Sequence, residues 1–329
     1  MGIRDRVLQI FMMLRMKEWL FSKIPFMFVP LFVHIFTYNQ YRSAASLGIC
    51  LQYFIFIVTF YGFGYAINDF SDKEIDRKVG KKNVMSEIGP VAGTLVLGIL
   101  VMGCFPLLAM HFSWKMAGIL AFVYFWGAAY SVRPFRFKER GAAGLLVSSL
   151  AQRAIPLLPL LGLDGRAWKS IFLWGLVGFL TGLRYILIHQ YEDLENDQKS
   201  GTHTFVNIHH CNIAWMLGAC LALEMLILFA AGIYAEMAVY WVFLAICLVQ
   251  SLLVFYTVHS IYRKSYFASF ICVPLEDFYN FYLPLAWLLL FVREQALWAA
   301  PLAILLLVGW KDMCEKWKTA YFGIRHWRE

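Results

Sequence analysis

No polar stretch in this sequence is long enough to build a water-soluble domain, and charge is scarce: Asp, Glu, Lys and Arg make up only 15% of 329 residues. Low-complexity linkers are lacking as well, while apolar residues reach 61%. A soluble core of this length could not bury that much apolar surface. The short alternating segments of a membrane barrel are also missing, and the apolar runs are long enough to cross about 30 Å of hydrocarbon as helices. The chain therefore reads as an all-α, multi-pass integral membrane protein, a polytopic transmembrane helical bundle.

Other absences narrow the reading. Arg and Lys recur through Lys23 and no small-residue cleavage site follows a short apolar core, so a cleavable signal is not expected. Position 6 is Arg rather than Ser or Thr, which removes a myristoylation pattern after Met1-Gly2. The seven cysteines form no C-x-x-C pair and fall mostly in apolar runs, where Cys behaves as a small hydrophobe. Neither a disulfide framework nor a zinc site is expected.

What is present is a series of apolar runs bounded by charges, Pro and turn residues. They predict spans over residues 20–37, 44–67, 90–110, 114–131, 142–163, 167–188, 212–234, 237–259, 278–292 and 296–310. The last two are short, so about nine or ten crossings are expected within a single domain of residues 1–329. Residues 1–19 are expected to form an interfacial amphipathic helix and residues 311–329 a basic tail.

With a cytoplasmic N-terminus, twenty-two of the 29 Lys and Arg residues fall on the cytoplasmic side. Only Arg42, Lys115, Arg166, Lys169 and Arg293 fall on the other, and Arg153 and Arg184 lie within spans. This division follows the positive-inside rule. The formal charge of +8 is then a consequence of topology, and nucleic acid is not an expected partner. A bacterial cytoplasmic membrane is the default location.

The stretch NDFSDKEID follows the second span directly. At about 100° per residue, Asn68, Asp69, Asp72 and Asp76 share one face of a helix leaving the membrane. Like charges this close repel, so a cation is expected among them. Hard carboxylate oxygens suit Mg²⁺, which binds through one or two carboxylates, water and substrate phosphates. The bland alternative is an acidic helix end neutralised by Lys73, Arg77 and Lys78.

A second acidic stretch, HQYEDLENDQKSGTHTF, follows the sixth span on the same side. On a continuing helix Gln190, Asp193 and Asp197 would share a face. Asp193 and Asp197 repeat Asp72 and Asp76 at an offset of 121 residues. This suggests two pseudo-repeated four-helix units, whose acidic ends face each other across a central cavity and bridge a diphosphate through Mg²⁺. The loop YSVRPFRFKERG adds Arg133, Arg136, Lys138 and Arg140 on the same side, cations suited to phosphate oxygens.

These residues resemble the UbiA superfamily of intramembrane prenyltransferases. NDFSDKEID has the form of its N-D-x-x-D-x-x-x-D signature, YSVRPFRFKER looks like its Y-S-x-P-P-x-R-x-K-x-R loop, and the region of Asp193 and Asp197 resembles its second aspartate motif. The resemblance implies two Mg²⁺ ions in a helical bundle and an isoprenyl diphosphate donor. The allylic C–O bond ionises, and a small hydrophobic acceptor, often an aromatic ring, captures the prenyl carbon.

Carried onto this sequence, Asn68, Asp69, Asp72, Asp76, Gln190, Asp193 and Asp197 would bind metal. Asn68, Arg136, Lys138 and Arg140 would bind diphosphate, and Tyr130 would lie near the reacting centre. Asp72 and Asp193 would be central to catalysis. Two departures stand out: Gln190 replaces the first Asp of the second motif, and Arg133 replaces the first Pro of the loop.

Further polar residues carry smaller expectations. Arg153 and Arg184 should face a cavity or an intramembrane partner. Glu224 could be such a partner or an acceptor-side base, and His189 a proton acceptor. His209-His210-Cys211 has ligand chemistry without a fourth ligand. Gly62 and Gly64 suit close helix contact. The alternative functions are a membrane terpene cyclase using the same donor, and a transporter of a lipid phosphate or cation.

Overall fold

The computed structural model describes residues 14–326 except 39, 41, 42, 79, 81, 82, 84, 86, 87, 201, 202, 210–212, 236 and 262–274. Among the described residues it is all-helical, with one isolated bridge between Gly141 and Thr204. The longer helices are α1 (Ile24–Thr37), α2 (Ala44–Lys78), α3 (Pro90–Met102), α4 (Trp114–Ala129), α5 (Gly141–Ser149) and α6 (Trp168–Glu192). Short α7 (Leu194–Ser200) and α8 (Phe205–His209) lead to α9 (Ile213–Ala235), α10 (Ala238–Tyr256), α11 (Leu283–Glu294) and α12 (Ala299–His326).

Among the described residues eight stretches are long and apolar enough to cross a membrane, and α1 and α4 are shorter apolar helices. The protein is an integral, multi-pass membrane protein.

Local chemistry explains the boundaries. Ser113 caps α4 by accepting the Met116 N–H at 3.0 Å. Pro90, in the first turn of α3, removes only a donor that the helix leaves unused. The predicted run 90–110 breaks at Gly103-Cys104, where Pro106 cannot continue the ladder, and resumes as Phe105–Met110. The run 142–163 is likewise segmented. After α5 come a π-helical turn Leu150–Ala154 and a 3₁₀ turn Ile155–Leu157 at Pro156, and Pro159 opens the short helix Pro159–Leu163.

Helix α2 carries the first acidic motif on its last turns, as expected. Other expectations are corrected. The second motif does not lie on one continuing helix: α6 ends at Glu192, Asp193 occupies the turn, and α7 restarts at Leu194. Carboxylates are disfavoured at the negative end of a 25-residue helix, which favours the break. Residues 299–326 are a single helix, so the expected tail is mostly helical. The expected N-terminal helix lies mostly outside the described residues, and its described end is a 3₁₀ turn, Met16–Glu18.

The chain divides into two compact units, elsewhere than between the expected repeats. One is Met1–Leu20 with Gly48–Glu224, and the other is Phe21–Leu47 with Met225–Glu329. In the first, Phe56, Phe60 and Phe63 pack around the Tyr124 ring at 6.3, 5.7 and 5.1 Å. Gly182 lets α6 approach α5 closely, since a Cβ there would lie 2.5 Å from the Ser149 carbonyl oxygen. Arg184 and Glu224, both buried, form a two-pronged ion pair with bonds of 2.7 and 3.0 Å. Arg184 thus has the intramembrane partner expected of it, and Glu224 supplies it. Arg153, fully buried in the π-helical turn, lies 5.3 Å from the Tyr185 ring centre.

In the second unit, Phe32, Phe291 and Trp298 form an aromatic core. Lys316 of α12 bonds Asp277 at 2.5 Å, and Trp317 Nε1 donates to the Tyr282 hydroxyl at 2.9 Å. These bonds tie α12 to the π-helical turn Phe278–Tyr282 and the residue before it.

Candidate active site

The site is built in the first unit, where α2 delivers Asn68, Asp72 and Asp76 at intervals of four residues, nearly one helical turn each. The loop after α4 supplies the cations. Its chain turns sharply at Arg136, which adopts a left-handed conformation with φ of 38° and a buried side chain. Gly141 closes the loop at φ of +50°, a conformation that glycine adopts without steric cost.

Arg136 Nη2 donates to Asp72 Oδ1 at 3.0 Å, its Nε to Glu139 Oε1 at 2.5 Å, and its Nη1 to the Ser131 carbonyl at 3.2 Å. Burial alone would lower the Arg136 pKa, but Glu139 and Asp72 outweigh it and hold the guanidinium above its ordinary value. Lys138 Nζ donates to Asn68 Oδ1 at 3.1 Å and also to Asp72 Oδ2. Burial pulls the Lys138 pKa below the ordinary lysine value, against the opposing pull of Asp72. Ser131, itself buried, donates its hydroxyl to Asn68 Oδ1 at 2.8 Å.

The partners of Asp72 are therefore the loop cations. Lys73, expected in the bland reading to neutralise the motif, lies 4.2 Å from the Phe70 ring centre. The rest of the first motif is held by residues outside it. Arg15 lies 3.6 Å from the Asp69 carboxylate, and Asn83 Nδ2 donates to the Asp69 carbonyl and to Asp76 Oδ2, each at 2.7 Å.

In the second motif, Asp193 lies 3.1 Å from His189 Nδ1, and Asp197 Oδ2 accepts the Thr204 hydroxyl at 2.9 Å. Gln190 is buried and its carbonyl oxygen accepts the Val206 N–H at 3.3 Å, so this oxygen serves the start of α8. Tyr130 is hydrogen-bonded to Ser148 and lies within electrostatic reach of both Asp72 and Asp197. Tyr130, at the start of the basic loop, thus lies near one carboxylate of each acidic motif. Arg140 lies at the margin, exposed, with Nη2 donating to the Pro134 carbonyl at 2.7 Å. Of the His-His-Cys triplet, exposed His209 lies 4.7 Å from the Phe205 ring, while His210 and Cys211 lie outside the described residues.

The donor set fits Mg²⁺. The Lys138 ammonium contacts Asn68 Oδ1 and Asp72 Oδ2 together, so these two hard oxygens already point at one cationic centre. Among the described residues no three acidic, His or Cys side chains form a complete cage. An ion that keeps waters and takes phosphate oxygens from its substrate does not need one. Asn83, Thr204 and Arg15 were not expected from the sequence, since neutral side chains and a distant arginine add nothing to a charge pattern, and Ser131 stood in the loop YSVRPFRFKERG without an assigned role.

Residues 27–280 match the UbiA prenyltransferase family. The fold is similar to a solved structure from a study of digeranylgeranylglyceryl phosphate synthase in membranes, with 16% identity and a TM-score of 0.54 over 88% of this chain and 99% of that one. It is also similar to a UbiA homologue from Archaeoglobus fulgidus bound to DMAPP and Mg²⁺, with 15% identity and a TM-score of 0.49 over 96% and 98% of the two chains. No curated protein sequence matches. With the family match spanning most of its 329 residues, the chain belongs to the UbiA prenyltransferase family.

Proposed function

We propose that the protein is a magnesium-dependent prenyltransferase that moves a prenyl group from an isoprenyl diphosphate to a small hydrophobic acceptor, with release of diphosphate. The observation that carries this reading is the convergence of Asn68 Oδ1 and Asp72 Oδ2 on one ammonium, beside the Arg136 guanidinium.

Asn68, Asp69, Asp72 and Asp76 would hold Mg²⁺ from one side, and Asp193 and Asp197 from the other. Gln190, whose oxygen is engaged with Val206, is left out of this ligand set. The bound metal supplies charge neutralisation that makes diphosphate a better leaving group.

The chain's own groups do the rest. Lys138 and Arg136 pass from Asp72 to the diphosphate oxygens, where their charge offsets the negative charge growing on the leaving group. Arg140, at the margin, contacts the outer phosphate. The Tyr130 ring, held through Ser148, faces the carbon that becomes cationic, where an aromatic face is favourable. Placement of all three motifs on the cytoplasmic side delivers a water-soluble diphosphate head from the cytoplasm while the prenyl tail stays in the apolar helices.

The test incubates purified protein with Mg²⁺ and C10, C15 or C20 prenyl diphosphates, with and without lipid extract, and identifies products by mass spectrometry. Transfer gives diphosphate plus a prenylated acceptor that depends on the extract. A cyclic hydrocarbon or alcohol formed without extract would assign a cyclase. No consumption of any donor, with Asp72→Ala indistinguishable from the parent, would overturn the enzymatic reading.

A further inference from the structure

The internal repeat runs past the aspartates. The offset of 121 residues that relates Asp72 to Asp193 and Asp76 to Asp197 also relates Gly80 to Gly201 and Asn83 to Thr204. Asn83 and Thr204 each stand seven positions after the last aspartate of their motif, and each donates a hydrogen bond to Oδ2 of that aspartate, at 2.7 and 2.9 Å. Both donors are buried, at 5% and 8% exposure. One is an amide and the other a hydroxyl, so the bond is common to the two halves while the residue type is not. A carboxylate whose one oxygen is engaged by a fixed donor loses freedom about its last torsion, and its second oxygen acquires a defined direction.

The two halves differ in how each donor is anchored. Asn83 uses its amide twice, bonding the Asp69 carbonyl as well as Asp76, and so spans the two turns of α2 that carry the motif. Thr204 has a single hydroxyl, but its backbone pairs with Gly141 in the isolated bridge, and the Gly141 N–H donates to the His203 carbonyl at 3.3 Å. The segment that orients Asp197 is therefore fastened to the end of the basic loop, which ties the second acidic motif to the cations that meet Asp72.

We propose that Asn83 and Thr204 are repeat-related positioning residues: each fixes the terminal aspartate of its acidic motif, Asp76 or Asp197, so that its carboxylate is held in a defined orientation toward the divalent cation. This rests on the metal-clamp reading above.

The experiment uses the full chain in nanodiscs and titrates Mn²⁺, a paramagnetic stand-in for Mg²⁺, in the presence of inorganic pyrophosphate, with bound Mn²⁺ read by electron paramagnetic resonance. Thr204→Val keeps the shape and loses the donor, and Thr204→Ser keeps the donor. Asn83→Ala loses the donor in the other half, and Asn83→Thr installs the hydroxyl of its counterpart.

Thr204→Val and Asn83→Ala should each raise the half-saturating Mn²⁺ concentration about tenfold or more, the usual effect of removing a group that orients a metal ligand. Thr204→Ser and Asn83→Thr should stay near the parent. The Mg²⁺ concentration needed for turnover should shift in parallel, while the donor KM at saturating Mg²⁺ changes little. Equal Mn²⁺ affinity in Thr204→Val and Thr204→Ser, or parental affinity in Asn83→Ala, overturns the proposal.

Asp72→Ala separates the two levels. If it retains Mn²⁺ binding and turnover, the metal-clamp reading itself fails. If it loses both while the Asn83 and Thr204 variants bind as the parent, only the positioning roles fail. Should Thr204→Val not fold, Asn83→Ala against Asn83→Thr makes the same comparison in the other half.

Discussion

Lys138 holds the point that a cation would claim, between Asn68 Oδ1 and Asp72 Oδ2, and this gives it two opposed effects. Before donor arrives its ammonium competes with a metal for the same oxygens. In the proposed reaction it passes to the diphosphate once donor binds, where it would stabilise the departing charge. Lys138→Met should therefore bind Mn²⁺ more tightly than the parent in the absence of donor, yet lose about 10²-fold in kcat/KM at saturating Mg²⁺. A variant that weakened both together would show the lysine to be a scaffold for the motif and not a competitor for the site.

At this scale the charged groups that meet at the candidate site, Asp72 with Arg136 and Lys138, stand out in the sequence, because carboxylates and cations at such spacing beside an apolar run have few other uses. The groups that hold them were not. Asn83 and Thr204 declare themselves only when the repeat is extended beyond its charges. Gln190 sits at a motif position in the sequence, yet its oxygen bonds the Val206 N–H, a role that no spacing rule announces.

The helices carry the next part of the argument, and α2 and α6 show why their apolar content was easier to read than their ends. The apolar pattern placed both spans, but hydropathy falls where a helix enters water whether or not the backbone continues. Helix α2 continues to Lys78 and turns its acidic motif into a single face, while α6 ends at Glu192 and leaves Asp193 in a turn. Helix α12 shows the same limit: its charged second half reads as a tail, yet Lys316 and Trp317 pack it onto Asp277 and Tyr282.

Close packing of α5 on α6 positions the loop and the second motif together, and Gly182 is where the two approach. A side chain there would run into the backbone at Ser149, which cannot rotate away, whereas a Cβ at Gly175 on α6 would meet no atom within 4 Å. Gly182→Val should cost about 1–3 kcal/mol through overpacking and lower the unfolding temperature in detergent. Gly175→Ala should be neutral or slightly stabilising, because alanine favours the helix. Equal unfolding temperatures for the two variants would remove Gly182 from this role.

For the whole molecule the question is which face of the membrane carries the three motifs, and the charge distribution supports our proposal that it is the cytoplasmic one. The basic residues gather around the first acidic motif and after α4, with Lys199 beside the second motif, while only Arg42, Lys115, Arg166, Lys169 and Arg293 fall on the other side. Under the positive-inside rule those connections would face the cytoplasm. The site's own chemistry accounts for only part of that excess, since Arg136 and Lys138 are committed to Asp72 whereas Arg133 is exposed to solvent.

Between Arg133 and Arg166 lies a single apolar stretch, Gly141–Leu163, so the two positions must face opposite sides if that stretch crosses fully despite its π-helical and 3₁₀ turns. In a cysteine-free background and in sealed right-side-out vesicles, a membrane-impermeant maleimide should label Arg166→Cys and leave Arg133→Cys unlabelled until the vesicles are opened. Labelling of both from outside would mean that the segmented stretch is re-entrant, and it would place the diphosphate site on the opposite face from the one that charge dictates.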